Sequence, residues 1–172
     1  MMPILSRPVT LCLLRGAIAL TSGCVVLLAG CASYPGAIAP GMTHDELIAR
    51  FGAPASERHR GDDWTVVYTT EPAGQQAFQA QLDVSGRVVS VVQVLDSWAF
   101  AKVVPQQWTH EDVLAAFGPP TEKRRLSGME CWDYHYKQDA SFDASMSIFF
   151  DDAGRVVRLE NGPDFSRDRP IK

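Results

Sequence analysis

The chain is short of cysteine, of basic charge and of recognisable catalytic motifs. It has four cysteines in 172 residues, and Cys12, Cys24 and Cys31 all fall within the first 31 positions. Cys131 is alone in the remainder, so no internal disulfide can brace that part, even in an oxidising compartment. Sixteen Lys and Arg stand against twenty Asp and Glu, a formal net charge of -4. The first thirty residues hold Arg7 and Arg15 and no acid, which leaves 14 basic residues against 20 acidic ones beyond them. An acidic body with dispersed charge excludes nucleic acid as a partner, because phosphate binding needs clustered Lys and Arg. The one basic run, Lys123-Arg124-Arg125, reads as a solvated turn or strand start. Gly-x-Ser-x-Gly, His-Glu-x-x-His, a Walker loop and Cys-x-x-Cys are all missing. Nothing therefore points to catalysis, a metal, a cofactor or a small-molecule substrate.

What is present begins with a targeting pattern. Arg7 and Arg15 precede an uncharged apolar stretch from Gly16 to Gly30, the n-region and h-region of a secretory signal. The stretch is shorter than the roughly 20 apolar residues of a spanning helix. It ends in Leu28-Ala29-Gly30-Cys31, which resembles the lipobox of bacterial lipoproteins. Cleavage between Gly30 and Cys31 would free an N-terminal cysteine whose thiol takes a thioether-linked diacylglycerol. Cys24 is a poorer acceptor, with Thr21 at its -3 position and Val-Val-Leu-Leu following it. Covalent lipid on Cys31 is then the only added group expected, and the anchor makes a membrane the first partner. Ala32 follows the cysteine where Asp is the usual inner-membrane retention signal, so the resemblance implies the periplasmic face of the outer membrane.

The remainder repeats itself. Met42-Thr43-His44-Asp45-Glu46-Leu47-Ile48-Ala49-Arg50-Phe51-Gly52-Ala53-Pro54 matches Trp108-Thr109-His110-Glu111-Asp112-Val113-Leu114-Ala115-Ala116-Phe117-Gly118-Pro119-Pro120. Trp64 to Tyr68 aligns with Trp132 to Tyr136, and Leu82 to Val89 with Phe150 to Val157. Matching order and spacing over three blocks indicates duplication. Thr43 and Thr109 are N-cap residues with acids in the first turn, and Glu46 and Asp112 occupy capping-box positions, which Asp fills less well. Gly52 and Gly118 are read as left-handed C′ residues, and Pro54 and Pro120 stop the helices. Three strands follow in each copy: Trp64–Tyr68, Ala77–Asp83 and Arg87–Leu95, and their counterparts at Trp132–Tyr136, Ser145–Asp151 and Arg155–Glu160. Ser97 to Val104 forms a short extra helix introducing the second copy.

The expected fold is α+β: two tandem repeats of a short helix plus a three-stranded antiparallel meander. The expected divisions are a signal over 1–30, a tether over 31–40, repeats over 41–96 and 97–162, and a disordered tail over 163–172. Gly41-Met42-Thr43, Phe51-Gly52-Ala53-Pro54, the Trp64–Tyr68 strand, Pro72-Ala73-Gly74 and Ser85-Gly86-Arg87-Val88 resemble the BamE/SmpA/OmlA family of outer-membrane lipoproteins. The tandem arrangement is similar to the β-lactamase-inhibitor protein. The first resemblance implies a non-enzymatic accessory in β-barrel assembly or envelope integrity, with barrel-assembly components or another envelope protein as partner. The second implies the alternative, a periplasmic inhibitor that binds an enzyme through its sheet and hairpin loops.

The histidines give no catalytic constellation. His44 and His110 are equivalent first-turn residues expected at the surface, and His59 lies in a polar turn. His135 sits between Tyr134 and Tyr136 with Cys131 nearby, but Val67 holds its place in the first copy. Cys131 is read as a buried inert thiol. Partner binding is the better expectation, and aromatics are the usual anchors. Trp98, Phe100 and Trp108 are the candidates at the joint between copies. Asp133 and His135, with Thr65 and Val67, are the candidates on a sheet face expected to be free.

Overall fold

The computed structural model of the chain describes residues 33–164. Cys31, the cleavage position and most of the expected tail lie outside the described residues. The described residues group as one unit.

Its order is a 3-10 turn Pro35–Ala37, helix α1 His44–Phe51, strands β1 Ser56–Arg60, β2 Asp63–Thr69, β3 Ala77–Leu82 and β4 Val88–Gln93. Helices α2 Ser97–Phe100 and α3 His110–Phe117 follow, then β5 Glu122–Leu126, β6 Met129–Gln138, β7 Phe142–Phe150 and β8 Val156–Pro163. The strands form two four-stranded antiparallel sheets, β1-β2-β3-β4 and β5-β6-β7-β8. This corrects the expectation of an α+β chain built from two helix-plus-three-strand repeats. The described residues are mostly β, 45% strand and 17% helix, and each sheet has a fourth strand.

The strands missed are β1, Ser-Glu-Arg-His-Arg, and β5, Glu-Lys-Arg-Arg-Leu. Both are edge strands, where charge discourages pairing with another chain and apolar alternation is not required. His59 therefore lies in β1 rather than a turn, stacked on Trp64 at 4.6 Å between ring centres. The basic run occupies β5, with Lys123 over the Trp132 ring at 4.1 Å. The hairpin turns Gly61-Asp62 and Ser127-Gly128 are equally short. Tyr68 and Tyr134 are structural equivalents, each donating to the glycine carbonyl that ends its helix, so the two residues gained by the second half lie in the hairpin joining β6 to β7.

Both helices begin with complete capping boxes. The Glu46 N–H donates to Thr43 Oγ1 at 3.2 Å, and the Glu46 carboxylate accepts the Thr43 N–H at 2.7 Å. Asp112 does the same at Thr109, and its other oxygen takes Arg58 Nη1 of β1 at 3.4 Å. The shorter acid thus fills the box and reaches across to the first sheet.

That contact shows where α3 lies. Val113 and Phe117 pack into the aromatic core of the second sheet, with Trp132, Tyr134, Ile148 and Phe150. Its opposite side meets the first sheet: Gln79 Nε2 donates to Ala115 O at 2.7 Å, Arg60 pairs with Glu111 at 2.6 Å, and Val67 joins the second half's core. Thr65 and Val67 are consequently 4% and 1% exposed rather than part of a free face. α1 holds only Leu47 fully inside, and Ile48, Ala49 and Arg50 face solvent. The equivalents of Ala49 and Arg50 in α3 are Ala115 and Ala116, small enough to admit a second sheet.

Gly52 and Gly118 end the helices at φ 83°, ψ -169° and φ 79°, ψ -169°. This is not the left-handed C′ conformation expected of them but a region open essentially to glycine alone. A β-carbon on Gly118 would also lie 3.1 Å from Val67 Cγ1, while one on Gly52 meets nothing within 4 Å. Gly52→Ala should cost about 1–3 kcal/mol from backbone strain. Gly118→Ala should cost measurably more, since it also pushes α3 off the first sheet. Urea unfolding of both variants checks the order.

Candidate functional site

The five partner-binding candidates fall in three different environments. Phe100 is 2% exposed and packs on Phe117, Tyr134 and Tyr136 at 4.7, 6.1 and 5.2 Å between ring centres. Trp108 is half-buried beyond Phe117, at 6.1 Å. These two belong to the core that joins the halves. Trp98 does not join them. It is 84% exposed on α2, whose start is capped by Asp96 accepting the Ala99 N–H at 2.7 Å.

Asp133 and His135 lie on the other face of the second sheet, because neighbours in β6 alternate and Trp132, Tyr134 and Tyr136 point to the core. This face is not an open polar surface at Asp133, which is 5% exposed. Cross-strand register sets Asp133 opposite Ser147, with Arg124 opposite the adjacent Cys131. Arg124 Nε and Ser147 Oγ both donate to the Asp133 carboxylate, and Arg124 Nη2 adds a bond at 3.2 Å. Burial alone would raise the Asp133 carboxyl. The bonds from Arg124 and Ser147 and the guanidinium charge outweigh it and hold the group below its ordinary value. Burial, aided by Asp133, pushes the Cys131 thiol up to about 11, so it is protonated and a poor nucleophile at neutral pH. His135 Nδ1 lies 3.5 Å from Asp164 Oδ2, and Arg158 covers the Phe149 ring at 3.9 Å. The cluster has the features of a satisfied structural network.

The better binding geometry is on the core side. A shallow groove of about 430 Å³ runs between α2 and the second sheet. Phe100, Val103, Tyr136, Met146 and Leu159 line it, and Ser97 Oγ sits 3.4 Å from Tyr136 Oη at its end. Trp98 stands on the same helix between the lining residues Ser97 and Phe100. The arrangement suits an apolar segment rather than a polar substrate. Among the described residues no group of three or more His, Cys, Asp or Glu is placed to hold a metal ion.

His44 and His110 are half-buried rather than exposed as expected. His44 lies 4.9 Å from the Trp64 ring centre and His110 stacks on Trp132 at 4.7 Å. Each Nε2 is 3.4 Å from a carboxylate, Glu57 or Glu130, that also accepts the neighbouring indole N–H. The two glutamates come from non-equivalent strands, β1 and β6, which hides the likeness from sequence alignment. Tyr34 and Phe142 were also missed. They are 54% and 71% exposed.

With its folded carboxyl below the unfolded value of about 3.9, Asp133 contributes stability that is complete above that pH. This contribution is lost as the pH falls through the lower folded value. Unfolding midpoints measured from neutral pH down to about 2 should therefore fall less steeply for Asp133→Asn than for the wild type. Arg124→Met should cost about 2–3 kcal/mol, because it strands a buried carboxylate whose partner was itself part-exposed. Arg124→Met combined with Asp133→Leu should recover most of that loss. Comparison of the chain with protein-family models, curated proteins and solved structures finds no match.

Proposed function

We propose that the protein is a non-enzymatic lipoprotein of the outer membrane that binds another envelope protein from the periplasmic face. The lipobox Leu28-Ala29-Gly30-Cys31 carries this reading. The folded part supports it by the way it begins. Tyr34 Oη donates to Gln76 at 2.7 Å, and the Tyr34 ring meets Phe78 edge-on at 5.6 Å. Ile38 is buried in the core of the first sheet. The chain from Tyr34 to Ile38 therefore packs on the first sheet, and Cys31 stands two positions ahead of Ser33 in the sequence. A lipid on Cys31 would hold the first sheet directly at the leaflet.

The partner-binding surface in this reading is the groove beside α2. It is apolar, shallow and open. Barrel-assembly components are the partner implied by the BamE/SmpA/OmlA resemblance. The high thiol pKa of Cys131, and the closure of Asp133, Arg124 and Ser147 on one another beside it, favour binding over catalysis.

Cys31→Ser should release a folded protein from membranes, and mass spectrometry of the wild type should find the acylated N-terminal cysteine. A variant that stays membrane-bound, with no acyl group on the wild type, overturns the lipoprotein reading. Crosslinking from intact membranes should recover outer-membrane assembly proteins. Recovery of a soluble periplasmic hydrolase as sole partner would favour an inhibitor instead.

A further inference from the structure

The exposed aromatic side chains among the described residues are Tyr34, Trp98 and Phe142, and a run of contacts links all three to the end of the fold where the described chain begins. Tyr34 rests on Phe78 and Gln76. The adjacent Ala77 O accepts the Val94 N–H at 2.8 Å, and α2 begins three residues after Val94. Ser97 then meets Tyr136, whose hydroxyl donates to Asn161 at 3.0 Å, and Asn161 in turn donates to Gln138 at 3.0 Å. Gln138 is the cross-strand partner of Phe142 at the β6–β7 tip. Trp64 lies at the opposite end of β2 with its ring beside Gly86, and Trp132 lies toward the opposite end of β6, stacked on His110, whose ring lies beside Gly154.

We infer that Tyr34, Trp98 and Phe142 form a ledge that inserts into the lipid interface beside the acylated cysteine. The inference rests on the lipoprotein reading and adds an orientation to it. Cys31 is two chain steps from Ser33, a reach of at most about 7 Å, so a membrane holding the lipid also lies against this end. Aromatic rings are the side chains that partition best to that depth, with Trp foremost. The charges there are more acidic than basic, with Glu71, Asp96, Asp139 and Asp143 against Lys102 and Lys137. Insertion therefore depends on burying rings in the interface, not on attraction to anionic headgroups.

The test uses the full lipidated protein reconstituted into phosphatidylcholine vesicles containing lipid brominated near the headgroup end of the acyl chain. The chain has four tryptophans, so the brominated lipid should quench about one quarter of the emission, the share of one interfacial indole. Trp98→Phe should abolish that quenching and Trp64→Phe should leave it. Phe142→Ser, at an exposed position, should shift Trp98 emission to the red without altering the unfolding transition. Vesicles that float the protein but leave its emission unchanged overturn the ledge while sparing the anchor. Protein that does not float overturns both. Quenching that appears only when phosphatidylglycerol is added also overturns the ledge, since headgroup attraction would then drive the contact.

Discussion

Everything after residue 110 is organised by one helix that has to satisfy two sheets. α3 gives Val113 and Phe117 to the second sheet and its first-turn acids and the Ala115 carbonyl to the first. Its two-turn length could not stand alone in water, so both contacts are needed for it to exist. Asp112 ties the capping of the helix to its seating on Arg58, and the start of α3 and its placement are one event. Val67 completes the arrangement by leaving the core of its own sheet's helix side and entering that of the other. The halves are related in sequence but not interchangeable in structure. Only the second helix is an internal part.

The repeated caps and stops were legible because they are local: Thr43, Glu46, Thr109 and Asp112 act on backbone groups within four residues. The strands that carry Trp64, Val66 and Tyr68, or Trp132, Tyr134 and Tyr136, were legible because alternation reports a half-buried sheet. β1 and β5 were hidden because their residues are chosen for the edge of a sheet rather than its face. The burial of Asp133 was hidden too. Its polarity suggested solvent, and its counter-charge, Arg124, comes from the neighbouring strand through a register that no local pattern encodes. The second contact of α3 left one trace, Ala115-Ala116 in place of Ala49-Arg50, which has meaning only once a second sheet is known to be there. Exposure of Trp98 left none, since a single aromatic in a four-residue helix reads equally well as core.

The two faces of the second sheet divide the work of stability and recognition. On one, Asp133, Arg124, Ser147 and Cys131 consume each other's hydrogen-bonding capacity, which leaves little for a partner. On the other, the aromatic core of Phe100, Phe117, Tyr134 and Tyr136 thins out into the groove beside α2, where apolar surface stays accessible. Polar residues on the page of a sequence suggest a working surface. Here the polar cluster is the closed one, and the apolar margin is the one with unfilled contacts.

The strap from Tyr34 to Ile38 has a consequence for how a partner would be met. A free leash of ten residues reaches roughly 35 Å, while three residues reach about 10 Å. The sphere a lipid-held body can explore shrinks with the cube of that radius, by roughly fortyfold. Encounter would then be governed by sideways drift of lipids in the plane of the leaflet, with the protein's height and tilt already settled. Specificity for a partner embedded in the same sheet of lipid would come partly from geometry imposed before any contact forms.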